Sequence, residues 1–138
     1  MKASNLKFSD PVLKEYHIEI NDEFLESVSS DEAIEMPKVE YEVNCSDVSD
    51  NEFFIVGKLT IGKQNKNSPF YAYITMGARF YSKNKFNEKE LELYKSIHAP
   101  AHLVSYMRPI MAMITSMTPF PAYHIPFFNF KENTKHSQ

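Results

Sequence analysis

The sequence predicts an α+β fold, a four-stranded antiparallel sheet packed against a long proline-kinked C-terminal helix. Three observations predict it. Apolar and polar residues alternate at period 2 in four runs between about residues 12 and 82, the pattern of strands with one buried face. From Asn87 the apolar spacing becomes helical, and between Ala101 and Thr118 the only charged side chain is Arg108. Pro119, Pro121 and Pro126 then hold the following residues out of helix. A chain of 138 residues is one domain, long enough to bury about two-thirds of its unfolded surface. Its parts are strands over about 12–82, a helical region over about 87–118, an aromatic loop at 119–130 and a polar tail at 131–138.

The first strand runs through Val12, Tyr16, Ile18 and Ile20, which alternate with Leu13, Glu15, His17 and Glu19. Residues 21–35 are acidic and contain Phe24, Leu25, Val28 and Ile34 without a sustained period, which reads as a loop with at most one helical turn. The second strand is the clearest. Val39, Tyr41, Val43 and Cys45 form a buried face and Lys38, Glu40, Glu42 and Asn44 a wet one, as in an antiparallel sheet. Ser46 to Asn51 is turn chemistry. The third strand sets Phe53, Ile55, Leu59 and Ile61 against Phe54, Val56, Lys58 and Thr60, and residues 62–68 form the next loop. The fourth is the longest, with Phe70, Ala72, Ile74, Met76, Ala78 and Phe80 on one face and Tyr71, Tyr73, Thr75, Arg79 and Tyr81 on the other. Tyrosines suit a surface that is half wet and half in contact, so this second face reads either as a solvated sheet or as a contact platform. Short loops between the strands make the sheet a meander.

The helical region opens at Asn87, a suitable N-cap with Glu90 three residues on. Pro100 breaks or kinks its first stretch, and the main helix is expected from about Ala101 to Met117, bent at Pro109. Leu103, Met107, Ile110, Ile114 and Met117 step by four and three along one stripe, which Val104, Met111, Ala112 and Met113 widen until little of the circumference is polar. A membrane span needs about 20 apolar residues. This run is shorter, carries Arg108 and Pro109 near its centre and follows strands that need a cover. Burial between the sheet and a second subunit is the better reading, with Leu103, Met107, Ile110, Met111, Ile114 and Met117 at the oligomer interface.

Composition excludes several functions. Three glycines are too few for a phosphate-cradling loop or a dinucleotide fold. The lone Cys45 forms no disulfide framework and has no neighbouring base to activate it, so it reads as a small strand residue. No apolar signal core stands at the N-terminal end of this sequence, so a cytoplasmic protein is the expectation. Residues 1–52 carry 14 acidic side chains and 4 lysines, and residues 53–138 carry 4 acidic and 11 basic ones. Neither part has a dense basic cluster, so nucleic acid is a poor partner. The asymmetry is either a solvated mixed surface or an acidic face for a basic partner. His98 and His102 have zinc-site spacing, but Pro100 interrupts it and no further ligand completes a set. No metal, cofactor or catalytic residue is expected, and the protein is not read as an enzyme.

The aromatic loop carries the functional signal. Phe120, Tyr123, Ile125, Phe127, Phe128 and Phe130 stand among three prolines on a stiff, extended strip. It either packs back on the sheet or forms one wall of a long apolar groove, with the tyrosine face of the fourth strand as its floor.

From about Val12 to Phe130 the sequence resembles the SecB family of bacterial protein-export chaperones. The resemblance rests on the four-strand region, the proline-interrupted helix beginning near Lys95 to His102, and the run Ile114-Thr115-Ser116-Met117-Thr118-Pro119-Phe120-Pro121 leading to Ile125-Pro126-Phe127-Phe128-Asn129-Phe130. Met76-Gly77-Ala78-Arg79-Phe80 also resembles the family's small-residue step before a phenylalanine. The resemblance implies a homotetramer, a dimer of dimers with the long helices inside, that binds unfolded polypeptides without ATP. Carried over by position, the client groove would involve Phe120, Tyr123, Ile125, Phe127 and Phe128, with Tyr71, Tyr73 and Tyr81 nearby. Two departures matter. The family's second helix has only the polar residues 131–138 to form from. The acidic positions through which family members reach the SecA motor fall near His17, Asn21 and Tyr73, although Glu19, Asp22 and Glu23 are close. SecA thus competes as partner with a dedicated client such as an antitoxin in a toxin–antitoxin system. The expected function is an ATP-independent holdase; the alternative is a carrier that closes the same groove around a small hydrophobic ligand.

Overall fold

The computed structural model describes residues 6–27, 37–64 and 68–130. The tail at 131–138, the middle of the acidic segment (with Val28 and Ile34) and residues 65–67 lie outside that description. Along the chain come strands β1 (Lys7–Phe8) and β2 (Val12–Ile20), a short helix α1 (Asp22–Ser27), and strands β3 (Val39–Ser49), β4 (Glu52–Ile61) and β5 (Phe70–Tyr81). A helix then runs unbroken from Glu88 to Thr115 as α2 (Glu88–Leu93), a π-helical turn (Tyr94–His98) and α3 (Ala99–Thr115).

The architecture is α+β, an antiparallel sheet with one long helix across it. The sheet has five strands, because the two-residue β1 adds beside β5, pairing Lys7 with Tyr81 and Phe8 with Phe80. A strand this short has no period to read. Strands β3, β4 and β5 form the meander, but β2 crosses over to pair with β5 along Ile20↔Phe70 to Val12↔Gly77. A bulge at Lys14 interrupts that ladder, so Val12 does not share the face of Tyr16, Ile18 and Ile20 as expected. It pairs with Gly77 on the outer face and stays exposed.

Residues 46–49 are strand rather than turn. Ser46 pairs with Phe54 and Asp47 with Phe53, so cross-strand pairing overrides the local turn preference, and only Asp50 and Asn51 turn. The turn at Gly62 adopts φ +77°, and a Cβ there would lie 2.1 Å from the Phe70 carbonyl oxygen, so glycine is required.

The inward faces of β4 and β5 make the core. Phe53, Ile55, Leu59 and Ile61 meet Phe70, Ala72, Ile74, Met76, Ala78 and Phe80, all buried. Leu103, Val104, Met107 and Met111 of α3 lie on them. Asn87 caps the helix as expected, its Oδ1 accepting the Lys89 backbone N–H at 2.8 Å. Pro100 does not break it. The turn just before it widens, with the Ala99 N–H reaching the Tyr94 carbonyl five residues back. A widened turn relieves the clash of the proline ring with the carbonyl four residues before it. The helix stops at Thr115, two residues before the expected end. Pro119 disfavours helix at the residue before it, and the Thr118 hydroxyl donates to the Thr115 carbonyl at 2.6 Å.

Candidate functional site

The loop after α3 is built in two halves. Its first half belongs to the core. The buried Thr115 hydroxyl donates to the Met111 carbonyl at 2.7 Å and accepts the Tyr123 N–H at 2.7 Å, which ties the loop to the helix end. Phe120 packs on Phe70 and Phe24, and Tyr123 meets Phe70 edge-on. The Tyr123 hydroxyl donates to the Pro37 carbonyl at 3.4 Å, and burial holds its pKa above the usual phenol value. Ile125 is buried as well. Phe120, Tyr123 and Ile125 therefore do not line an open groove in this conformation. Their apolar surface already has the sheet as partner.

The second half surfaces. Arg108 holds the crossing point, its Nε donating to the Ile125 carbonyl at 3.4 Å and its guanidinium to the Pro126 carbonyl at 3.1 Å. Beyond Pro126, Phe127 is 88% exposed. Phe128 and Phe130 are half-buried and pack on Tyr41 of β3, with ring centroids at 6.1 and 5.9 Å. The Tyr41 hydroxyl donates to the Pro100 carbonyl at 3.0 Å, and a Cβ at Gly57 would come within 2.6 Å of that oxygen. Helix and loop border a half-open pocket of about 220 Å³ lined by Ile97, Ala101, Val104 and Arg108 from the helix and by Phe127, Phe128, Asn129 and Phe130 from the loop. Beside it β3 ends the sheet, with no neighbour beyond it among the described residues. Cys45, also on β3, is half-buried, and burial raises its pKa.

The expected floor lies elsewhere. Tyr71, Tyr73 and Tyr81 alternate with the core residues of β5 and so point to the face that α3 does not cover. Tyr73 donates to Glu15 at 2.6 Å, which raises its pKa, and it stacks on His17 with centroids 5.2 Å apart. Lys58 sits over the Tyr73 ring and Arg79 over the Tyr81 ring, at 4.3 and 5.3 Å. The sheet separates these tyrosines from the loop, so wall and floor cannot form one groove in one chain.

The expected interface stripe also divides. Leu103, Met107 and Met111 are buried inside the chain, and Ile110 and Ile114 are half-buried. Met117 is 77% exposed and Met113 56% exposed, with Tyr106 exposed on the same side. The outward stripe is therefore Tyr106, Ile110, Met113 and Met117, stepping by four, three and four. His98 and His102 do not form a pair. His98 is exposed, whereas His102 packs among Phe8, Phe80 and Tyr106.

Sequence reasoning placed Tyr41 on the buried face of its strand and did not connect it to the site. Its half-buried hydroxyl on a helix carbonyl is a tertiary contact with no local signal. Ile97 and Ala101 are equally silent in sequence, being single small or apolar residues of the helical region, and Val104 shows there only as part of the wide apolar stripe.

The family model of preprotein translocase subunit SecB matches residues 9–136. The chain belongs to the SecB family. Among solved structures it is similar to the Mycobacterium tuberculosis Rv1957 SecB-like chaperone in complex with a ChAD peptide from the Rv1956 HigA1 antitoxin. That match has 15% identity and a TM-score of 0.59, and covers 90% of this chain and 91% of the other. It is similar also to a Streptococcus agalactiae protein of unknown function, at 16% identity and a TM-score of 0.50, covering 91% of this chain and all of that one. No curated protein matches. At these identities the solved structures establish a shared fold. Among the described residues no helix is long and apolar enough to cross a membrane.

Proposed function

We propose that this SecB-family chain is a chaperone that holds unfolded polypeptide, without nucleotide, along the cleft between α3 and the second half of the aromatic loop. The observation that carries the reading is the exposed Phe127 at the mouth of an apolar pocket walled by Phe128 and Phe130. Phe127, standing beside this apolar lining, gains about 25 cal/mol for each Å² it buries against a client. Such contact has no directional demand, which suits clients of many sequences. The edge of β3 beside the pocket, which has no neighbouring strand among the described residues, offers backbone pairing to an extended chain. The pocket also bears on the ligand-carrier alternative. At about 220 Å³ it is smaller than the roughly 300–1,000 Å³ that small-molecule sites occupy.

In this reading the outward stripe of α3 packs against a second copy in a cytoplasmic tetramer. A dedicated antitoxin-like client fits better than SecA delivery. At the positions where the family's acidic patch is expected, His17 stacks on Tyr73, and the Asn21 amide donates to the Ser68 carbonyl at 2.9 Å. The mycobacterial relative with its antitoxin peptide supports the same preference. The test is suppression of aggregation of a reduced, unfolded protein with no nucleotide present, read together with mass by light scattering. Suppression by a species near four times 16.1 kDa is expected. A stable monomer without any effect on aggregation overturns the reading.

A further inference from the structure

We infer that α1 is an autoinhibitory plug, whose Phe24 ring holds, in the free chain, the place against Phe120 that an aromatic side chain of a bound client takes over. The inference rests on the client-holding reading above. It concerns the first half of the aromatic loop rather than the cleft beyond Pro126. Phe24 is half-buried and meets Phe120 edge-on, with ring centroids 6.4 Å apart. Phe120 also packs on Phe70 of the core, at 6.1 Å. With Phe24 in place, Phe120 is only 4% exposed.

The way α1 is held lets it leave. Asn21, just before it, is fixed to the residues leading into β5. Its backbone N–H donates to the Pro69 carbonyl at 3.0 Å and its side-chain amide to the Ser68 carbonyl at 2.9 Å. The helix beyond this pivot has little stability of its own. It has six residues, where an isolated helix needs about 12–15. Glu26 stands four residues from Asp22 and three from Glu23, so like charges repel across one turn. Glu26 also lies toward the C-terminal end, where the helix dipole disfavours an anion. α1 therefore depends on its packing for its place, and a ring that competes for Phe120 displaces it by turning it about Asn21. The plug sets a threshold. A client gains contact with Phe120 only when its own ring outcompetes Phe24.

The test uses the full-length protein and, as client, a reduced, carboxymethylated protein that contains no tryptophan. The chain itself has no tryptophan, so Phe24→Trp introduces a single reporter at the plug. Saturating client should shift its emission to the red and raise its quenching by acrylamide. Client affinity is read by anisotropy of labelled client for the wild type and for Phe24→Ala. An edge-on ring pair corresponds to roughly a threefold to tenfold change in an equilibrium constant, so Phe24→Ala should bind client tighter by that factor. A merely structural role would lower the stability of Phe24→Ala without tightening its binding. Should Phe24→Ala fail to fold, the tryptophan reporter decides alone. A reporter unmoved by a client that the protein binds, or binding by folded Phe24→Ala that is no tighter than the wild type's, overturns the inference and leaves the client-holding reading standing. No binding by either the wild type or Phe24→Ala overturns both.

Discussion

Tyr123 is 8% exposed and Phe127 88% exposed, although both stand in the same proline-bounded loop. Treated alike in sequence, they should respond oppositely to the same substitution. Tyr123→Asp buries an unpaired carboxylate where a ring packed on Phe70, and should cost about 3–5 kcal/mol, read as a large drop in the denaturant midpoint. Phe127→Asp should stay within about 0.5 kcal/mol of the wild type while strongly weakening client capture. His102 gives a second prediction at this scale. Desolvation among Phe8, Phe80 and Tyr106 lowers its pKa below 6.5, and its buried Nε2 has no hydrogen-bond partner among the described residues. The unfolded chain then takes up a proton near pH 6.5 that the folded chain resists. Stability is at its full value above that pH and declines as pH falls toward the lower folded pKa. Thermal melts from pH 8 to 5 should display this decline, and a His102→Phe variant should display less of it.

At the scale of elements, the join between α3 and the loop depends on one hydroxyl. Thr115 holds the Tyr123 N–H at the point where the chain turns back onto the sheet. Thr115→Val keeps the shape but leaves that buried N–H without an acceptor, at a cost of about 1–3 kcal/mol. Chemical denaturation measures the loss, and amide exchange at Tyr123 should quicken with it. The helix itself explains why the expected stripe divides between core and surface. The stripe Leu103, Met107, Ile110, Ile114, Met117 advances by 3.5 residues per turn, whereas an α-helix turns every 3.6. Over the helical part from Leu103 to Ile114 such a stripe drifts by roughly 30°. It begins against the sheet at Leu103 and is half-buried by Ile114, and Met117 lies beyond the helix end in solvent. A helix with polar residues on one side would have marked its inward direction, and this one lacks that contrast.

At the scale of the whole molecule, the outward stripe leaves Met113 and Met117 uncovered in a single chain. Replacing both with glutamate should lower the mass of the assembly, measured by light scattering, while the melting temperature of the chain itself changes little, because neither side chain lies in its core. An unchanged mass would move the assembly surface away from α3. The sequence read alone determined the α+β class, the place of each longer strand and, to within two residues, the break from helix to loop. It did so because period 2, the helical period and proline sterics are properties of a few neighbouring residues. It also separated Tyr71, Tyr73 and Tyr81 from Phe70, Ala72 and Ile74 by simple alternation. Only the tertiary structure decided that α3 and the aromatic loop cover the Phe70 face, that Phe120, Tyr123 and Ile125 are core, and that Tyr41 of β3 packs on Phe128 and Phe130, which line the pocket. The reason is physical. Local spacing fixes which residues share a face, but what covers a face depends on partners distant in the chain, and β2 crossing over to β5 leaves no trace in the spacing of either strand.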